Sequence, residues 1–530
     1  MTEQGNNRPE NATNGENSRG RYREQVEQRQ REAEEQLQAE EKDQKSQTTS
    51  QFWIDCLDSN ERGDGCAVAV LGKNRFCQNM NSIEWLEWSG HYWKPDTAGG
   101  VYYLCEEAAL QYLEERGKIS RQIGQAAQDQ ENEHRKMLEA RRSQIEKRVN
   151  RLRSWRGQTN ALNFASIVPG GLGVPGDVFD SNGWILPCKN GVVDLKTGSF
   201  RNGRQDDYAT MVSPVEWEGI NTPAETLQRT ILEIFGGNQE LADFVQRLLG
   251  YALLGEHREA ILPVLYGQGR NGKSLLIEVM RWVFGPLAGP IPAEMTIDQG
   301  KSRNSSGPSP DIMLLKGLRM AIATETDQGQ RISPSQIKWL TGGDTLVGRS
   351  PHDKHLTSFE PTHTLFLLTN HKPHAPAEDF AFWERVLLIP FEMSFVDREP
   401  QADNERRQDK DLKRKLLNEA SGILAWLVRG CLEDQVQGLN PPDIVKKATS
   451  EYRREEDVLA DFIDEECIVL ESANDGSTPS TKLYERFGEW WKRTRGNKVP
   501  SQTWFGRNLS RKFERKKWNG VFHYFGVRLI

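Results

Sequence analysis

Apolar positions along this chain change period several times, and each change marks an element. Residues 1–50 are mostly Asn, Gln, Glu and Arg with almost no large apolar side chains, too little to offset chain entropy, so disorder or a solvated helix is expected. From Gln51 short alternating runs appear, with Trp85, Trp88 and Trp93 in EWLEWSGHYWKPD, which predicts β-structure with Gly and Pro turns and tryptophans in a core rather than on a base-stacking platform. Over residues 131–155 the period becomes helical. Leu138, Ile145, Val149 and Leu152 form one stripe among arginines, a docking face in preference to a basic track on nucleic acid. WILPCKNGVVDLKTGSF (184–200) reads as strand, Asn-Gly turn, strand. Helical patterns over 222–235 and 239–254 then lead into ILPVLY (261–266), a buried strand, and SLLIEVMRWVF (274–284), an amphipathic helix. Further on, 411–433 and 442–466 read as helices, and no internal repeat is evident.

The chemistry begins between that strand and helix, where GQGRNGKS forms a phosphate-binding P-loop in its proper setting. Its glycines let backbone N–H groups turn onto phosphate oxygens, with Gly267, Gly269, Asn271 and Gly272 as the cradle. Lys273 then neutralises the β- and γ-phosphates and the Ser274 hydroxyl ligates Mg²⁺, so ATP and Mg²⁺ are the expected cofactors. In RMAIATETD a buried strand ends at Thr324. Glu325 and Asp327 follow, placed where carboxylates orient Mg²⁺ and polarise the attacking water, a reading preferred to a surface acidic turn. THTLFLLTNHKP carries Asn370 at a strand tip, to hold the lytic water or to cap a turn. FWERVLLIPF puts Arg385 just before another strand, as an arginine finger toward a neighbouring subunit or as a local salt bridge. Between these strands, 340–364 predicts a hairpin, pairing near Val347 and Phe359, whose tip carries Lys354 and His355. That tip is a grip on a nucleic-acid backbone or an ordinary solvated hairpin.

Composition narrows the class. No apolar run approaches the roughly 20 residues of a membrane span, and the first residues hold no secretion signal, so a cytoplasmic protein without membrane partners is expected. Seven cysteines form no CxxC pair and read as buried free thiols. The net charge of −7 conceals an asymmetry: from Lys482 onward there are 13 Lys and Arg against 3 Asp and Glu, a local +10, leaving −17 on the rest. A basic end on an acidic protein points to a polyanion partner for that end. There STKLYERFGEWWKRT and SQTWFGRNLSRKF read as two helices followed by the strands of KKWNGVFHYFGVRLI, the order of a winged helix. Phe505, Leu509 and Phe513 would face its core and Arg507, Arg511 and Arg515 would form an opposite row toward DNA.

The ordered set GQGRNGKS, ATETD, IKWLTGGD, LFLLTNHKP and FWERVLLIPF closely resembles the superfamily 3 helicases of phage and plasmid primase-helicases and the poxviral primase-helicase. NGVVDLKTG, FVQRLLGYALLGEHRE and GILAWLVRGCLEDQVQGL extend the likeness to roughly residues 65–530. The resemblance implies an α/β AAA+ core, a hexameric ring and 3′ to 5′ movement on single-stranded DNA. By position it makes Lys273 and Ser274 the Walker A pair, Glu325 and Asp327 the Walker B acids, Asn370 sensor 1, Arg385 the finger, and Lys354 or His355 the DNA grip. Thr326 separates acids that are adjacent in many relatives, and Glu384 stands where they often carry a second arginine. Ahead of the helicase region no zinc-ligand set or DxD pair of a primase occurs, so a helicase acting with a separate primase is expected. The expected organisation is a charged tail (1–50), an α/β helicase-associated region (51–220), the AAA+ core (221–400), a helical lid segment (401–455) and a winged helix (456–530). Substrates would be single-stranded and forked DNA in the replication of a phage, plasmid or other mobile element. The rivals are a P-loop kinase, which the basic end and the hairpin disfavour, and an ATP-regulated origin-binding initiator or loader without processive unwinding.

Overall fold

The computed structural model describes residues 49–299, 309–324, 330–349, 356–470, 472, 475–518 and 520–530. The chain folds as two compact units that divide between Phe179 and Asp180.

In the first unit, helices Ser50–Asp58, Asn60–Gly72, Tyr103–Gln128, Asn132–Leu152 and Trp155–Ile167 accompany a sheet of Phe76–Asn79, Glu84–Trp88, Trp93–Pro95 and Gly173–Val174. The β-structure expected from Gln51 starts only at Phe76, because the preceding residues form two helices, the first capped by the Thr49 hydroxyl accepting the Phe52 N–H. Glycines disguised the second helix. A Cβ on Gly65 would lie 2.3 Å from Cβ of Phe164, so glycine permits a close helix crossing there despite costing about 1 kcal/mol against alanine. The stripe of Leu138, Ile145, Val149 and Leu152 is buried, as a docking face requires. Arg148, on the same helix, is also buried. It holds the buried Asp64 carboxylate at 2.5 Å and donates to the Leu57 carbonyl at 2.7 Å, while Arg151 takes the other Asp64 oxygen at 2.6 Å.

The second unit is built on five strands, β1 (Leu262–Tyr266), β2 (Ala288–Ile291), β3 (Met320–Thr324), β4 (Thr364–Thr369) and β5 (Val386–Pro390). Their order is β5-β1-β4-β3-β2 and every pairing is parallel. Such a sheet needs cover on both faces, which explains the unbroken apolar runs. Alternate residues serve opposite cores. Leu265, Ile322, Phe366 and Ile389 pack with helices Glu225–Ile234, Gln239–Tyr251, Lys273–Phe284 and Ala420–Gln437. Val264, Ala321, Leu367 and Leu388 pack instead with Ile337, Trp383 and Tyr452.

The strand pair flanking Asn190-Gly191, Ile185–Cys188 with Gly191–Asp194, contributes Leu186 and Val193 to the first of these cores. The second unit, which begins at Asp180, therefore includes this strand pair. The helix expected over 411–433 is two helices, Leu412–Asn418 and Ala420–Gln437. At their junction the Glu419 carboxylate accepts the N–H groups of Thr226 (2.9 Å) and Leu227 (3.2 Å), at the start of another helix. The pattern over 442–466 likewise divides, and Asp457 caps the second helix by accepting the Ala460 N–H. Leu346–Gly348 and Thr357–Phe359 pair as the expected hairpin. All seven cysteines are unpaired, and all but the half-buried Cys66 are buried.

The basic end folds around Phe462, Phe487, Trp490, Phe505, Leu509 and Tyr524. Helices Val458–Glu466, Ser480–Thr494 and Gln502–Leu509 pack with an antiparallel sheet in which Val521–Phe525 lies between Ser477–Pro479 and Arg515–Trp518. The expected arginine row does not form, because the last helix stops at Leu509. Arg507 is exposed on that helix, but Arg511 lies past its end and donates to the Glu378 carbonyl at 3.1 Å. Arg515 opens a strand, its guanidinium carbon 4.1 Å from the ring centre of Phe522.

Candidate functional site

The glycine loop leaves β1 at Tyr266 and enters the helix Lys273–Phe284. Two of its glycines are required by space. A Cβ on Gly267 would meet the Phe391 carbonyl oxygen at 2.3 Å. Gly272 has φ +87 and a Cβ there would meet Cδ1 of Ile234 at 2.7 Å. Asn271 is buried and braces the loop from within. Its Nδ2 donates to the Phe391 carbonyl at 3.3 Å, and its Oδ1 accepts from the Lys273 backbone N–H at 3.4 Å and from Nζ at 3.2 Å. From outside, the Phe395 N–H donates to the Arg270 carbonyl at 2.7 Å.

The Lys273 ammonium also donates to the Gly267 carbonyl and, at 3.2 Å, to Oδ1 of Asn370. Among the described residues no carboxylate pairs with it, and desolvation pushes its pKa down to about 8. A buried cation held only by carbonyl and carboxamide oxygens at a helix N-terminus suits a polyphosphate, which supplies the missing negative charge. Ser274 is exposed on the first turn of the same helix. Beside these residues lies a cavity of about 320 Å³, bounded by Gly269, Ser274 and Asn370 and by the apolar Ile234, Phe395 and Leu412.

The residues assigned from sequence thus divide. Gly267, Gly269, Asn271, Gly272, Lys273, Ser274 and Asn370 come together around one site. Arg385 does not join them. Leu262, at the start of β1, donates its N–H to the Arg385 carbonyl at 2.6 Å, whereas the glycine loop follows the far end of that strand. The strand's five residues put its ends four steps apart, roughly 13 Å at the usual rise, and Nη1 of Arg385 donates to the Ala381 carbonyl at 2.5 Å, with no carboxylate paired to it among the described residues. Glu325, Asp327, Lys354 and His355 lie outside the described residues.

Ile234, Phe395 and Leu412 escaped the sequence reading because they come from three elements far apart in the chain and carry no motif. Arg319 also escaped it, although a lone cation opening an apolar strand is a visible signal. It is buried at the head of β3 and donates to the carbonyls of Leu253 at 2.6 Å and Ile185 at 2.7 Å. Desolvation lowers its pKa to about 10.

Residues 68–236 match the family described as D5 N terminal like. The chain is 27% identical over 452 residues to a putative helicase of Acanthamoeba polyphaga mimivirus, covering 82% of this chain and 46% of that protein. It is 26% identical over 382 residues to a putative helicase of Invertebrate iridescent virus 3, covering 68% and 40%. Over the matched residues the chain is thus similar to the D5 N terminal like family and to viral proteins named putative helicases. The chain spans less than half the length of these curated relatives. Among solved structures, the apo C-terminal region of NrS-1 aligns with a TM-score of 0.35 at 14% identity, covering 64% of this chain and 92% of that one. No helix among the described residues is long and apolar enough to cross a membrane.

Proposed function

We propose that the second unit is an ATP-driven motor of the AAA+ class and that the protein is a 3′ to 5′ DNA helicase of superfamily 3, acting as a homo-hexameric ring in the replication of a viral or other mobile genome. The observation that carries this reading is the meeting of Lys273 with Asn370. It joins the loop after β1 to the tip of the adjacent β4, within the strand order β5-β1-β4-β3-β2. That order puts a second polar strand tip next to the phosphate loop, as a hydrolase needs to align water against a γ-phosphate.

In this reading Lys273 and the loop N–H groups hold the triphosphate, and Asn370 positions water and senses the γ-phosphate. Ser274 with Glu325 and Asp327 would hold Mg²⁺, which when bound neutralises charge on the β- and γ-phosphates. Arg385, too far from its own loop, would complete the site of the next subunit. The helices after residue 411 serve as a lid, and Lys354 and His355 grip the tracked strand. The order of helices and antiparallel strands in the basic end supports a winged helix, and a separate primase is the natural partner. Lys273→Ala tests the core of the proposal. ATP hydrolysis and strand displacement should both disappear while the unfolding midpoint stays near wild type. Substantial turnover in that variant would end the proposal.

A further inference from the structure

The hairpin Arg515–Trp518/Val521–Phe525 carries apolar surface that a soluble fold normally hides. Trp518 is 54% exposed, Phe522 46% and Val521 44%. The register pairs Trp518 with Val521 and Lys517 with Phe522, so the two aromatic rings leave opposite faces of the ribbon. One face presents Lys516, Trp518 and Val521, and the other Arg515, Lys517 and Phe522. Between Arg515 and Phe525 there are three Lys and Arg and no carboxylate, and among the described residues the flanking Glu514 alone pairs with one of them, Lys516, at 2.7 Å. The neighbouring helix exposes Thr503, Arg507 and Ser510 along one line.

Exposed aromatic rings interleaved with cations have the composition of a surface that stacks bases and neutralises the phosphates between them. A continuous duplex offers phosphates but no free base face. A single strand emerging from a duplex offers both. We propose that this ribbon docks at a junction of single-stranded and duplex nucleic acid, with Trp518 stacking on the first unpaired base, Lys516 on the same face meeting the phosphate beside it, and Arg515 and Lys517 on the opposite face meeting phosphates across the ribbon. The exposed line of Thr503, Arg507 and Ser510 would face the duplex shoulder. The inference rests on the nucleic-acid-directed function above and gives the basic end a substrate: a fork, in preference to intact duplex.

The test uses the full chain, with forked and blunt duplex DNA of equal length as probes. Wild type should bind the fork more tightly. Trp518→Ala should weaken fork binding by about ten-fold, the order of one lost base–aromatic stack, and leave blunt-duplex binding within two-fold. Trp518→Phe should restore most of the fork affinity. An unchanged unfolding midpoint certifies the fold of each variant. Fork binding untouched by Trp518→Ala overturns the proposal and leaves a protein partner to cover the ribbon. An equal loss on fork and duplex overturns it too, since the tryptophan would then not distinguish a junction. The helicase reading is judged separately by wild-type strand displacement. A wild type that cannot unwind, but whose fork preference vanishes in Trp518→Ala, fails that reading and keeps this one.

Discussion

The Lys273 ammonium lies 3.2 Å from the carboxamide oxygen of Asn370, so one hydrogen bond spans the loop after β1 and the tip of β4. Because Asn271 and the Gly267 carbonyl also hold Lys273, removing Asn370 should leave the lysine in place. Asn370→Ala is therefore expected to bind nucleotide within a few-fold of wild type and to hydrolyse it about 100-fold more slowly, the order lost with one positioned polar group. Separate equilibrium binding and single-turnover measurements check this. A large loss of affinity with normal turnover would give Asn370 a binding role instead.

Nucleotide binding should depend on pH through the same lysine. Burial holds its pKa at about 8, below the ordinary 10.5, in the free protein. A triphosphate favours the charged form and must raise that value. Affinity should accordingly fall as pH climbs through about 8, and binding near and above that pH should take up protons. Calorimetry at pH 8.5 in buffers of different ionisation enthalpy measures the uptake directly. Proton release or no exchange would contradict the assignment.

Arg385 stands at the edge of the sheet remote from its own glycine loop. Arg385→Ala should still bind ATP but lose hydrolysis by roughly 10³-fold or more, the range seen for arginine fingers. Mixing it with Lys273→Ala should recover activity, since some interfaces then combine an intact loop with an intact arginine. If mixed rings form and no activity returns, the arginine does not act across subunits.

In the first unit, Arg148→Met should be strongly destabilising. It leaves the buried Asp64 with Arg151 alone and strips the Leu57 carbonyl of its donor. A loss of about 3–5 kcal/mol is expected for breaking a buried pair on one side, read from the unfolding transition of this unit in urea. A loss under about 1 kcal/mol would mean that solvent reaches the pair.

Arg507 and Arg511, equivalent in a helical row, should behave differently in the folded module. Arg507 is exposed on the helix, while Arg511 is engaged with the Glu378 carbonyl. Arg507→Ala should weaken DNA binding and reduce the salt slope by about one unit, whereas Arg511→Ala should change neither much. Titrations at several salt concentrations decide between them.

Periodicity revealed what burial on one or two faces had written into the chain. The apolar runs of β1, β4 and β5 and the helix after the glycine loop stand where the patterns predict them. It failed where close packing overrides propensity, as at Gly65, whose missing Cβ lets two helices touch. The long helix Tyr103–Gln128 escaped the sequence reading too, although Leu104, Ala108 and Tyr112 recur every four residues and are buried. The arginine row failed for another reason: a four-residue spacing means a common face only as far as the helix runs, and this one ends at Leu509. The glycine-loop half of the site is a local motif. Its apolar half is assembled by tertiary folding from Ile234, Phe395 and Leu412.

Arg319 gives the second unit an inseparable front end. Its guanidinium satisfies the carbonyls of Ile185 and Leu253 from the root of β3. A fragment trimmed to begin at residue 221 would keep the cation and lose one of the acceptors that make its burial tolerable. The strand pair around Asn190-Gly191 is therefore a keel rather than an accessory, and an engineer exchanging front ends between relatives must carry it along with the five-stranded sheet.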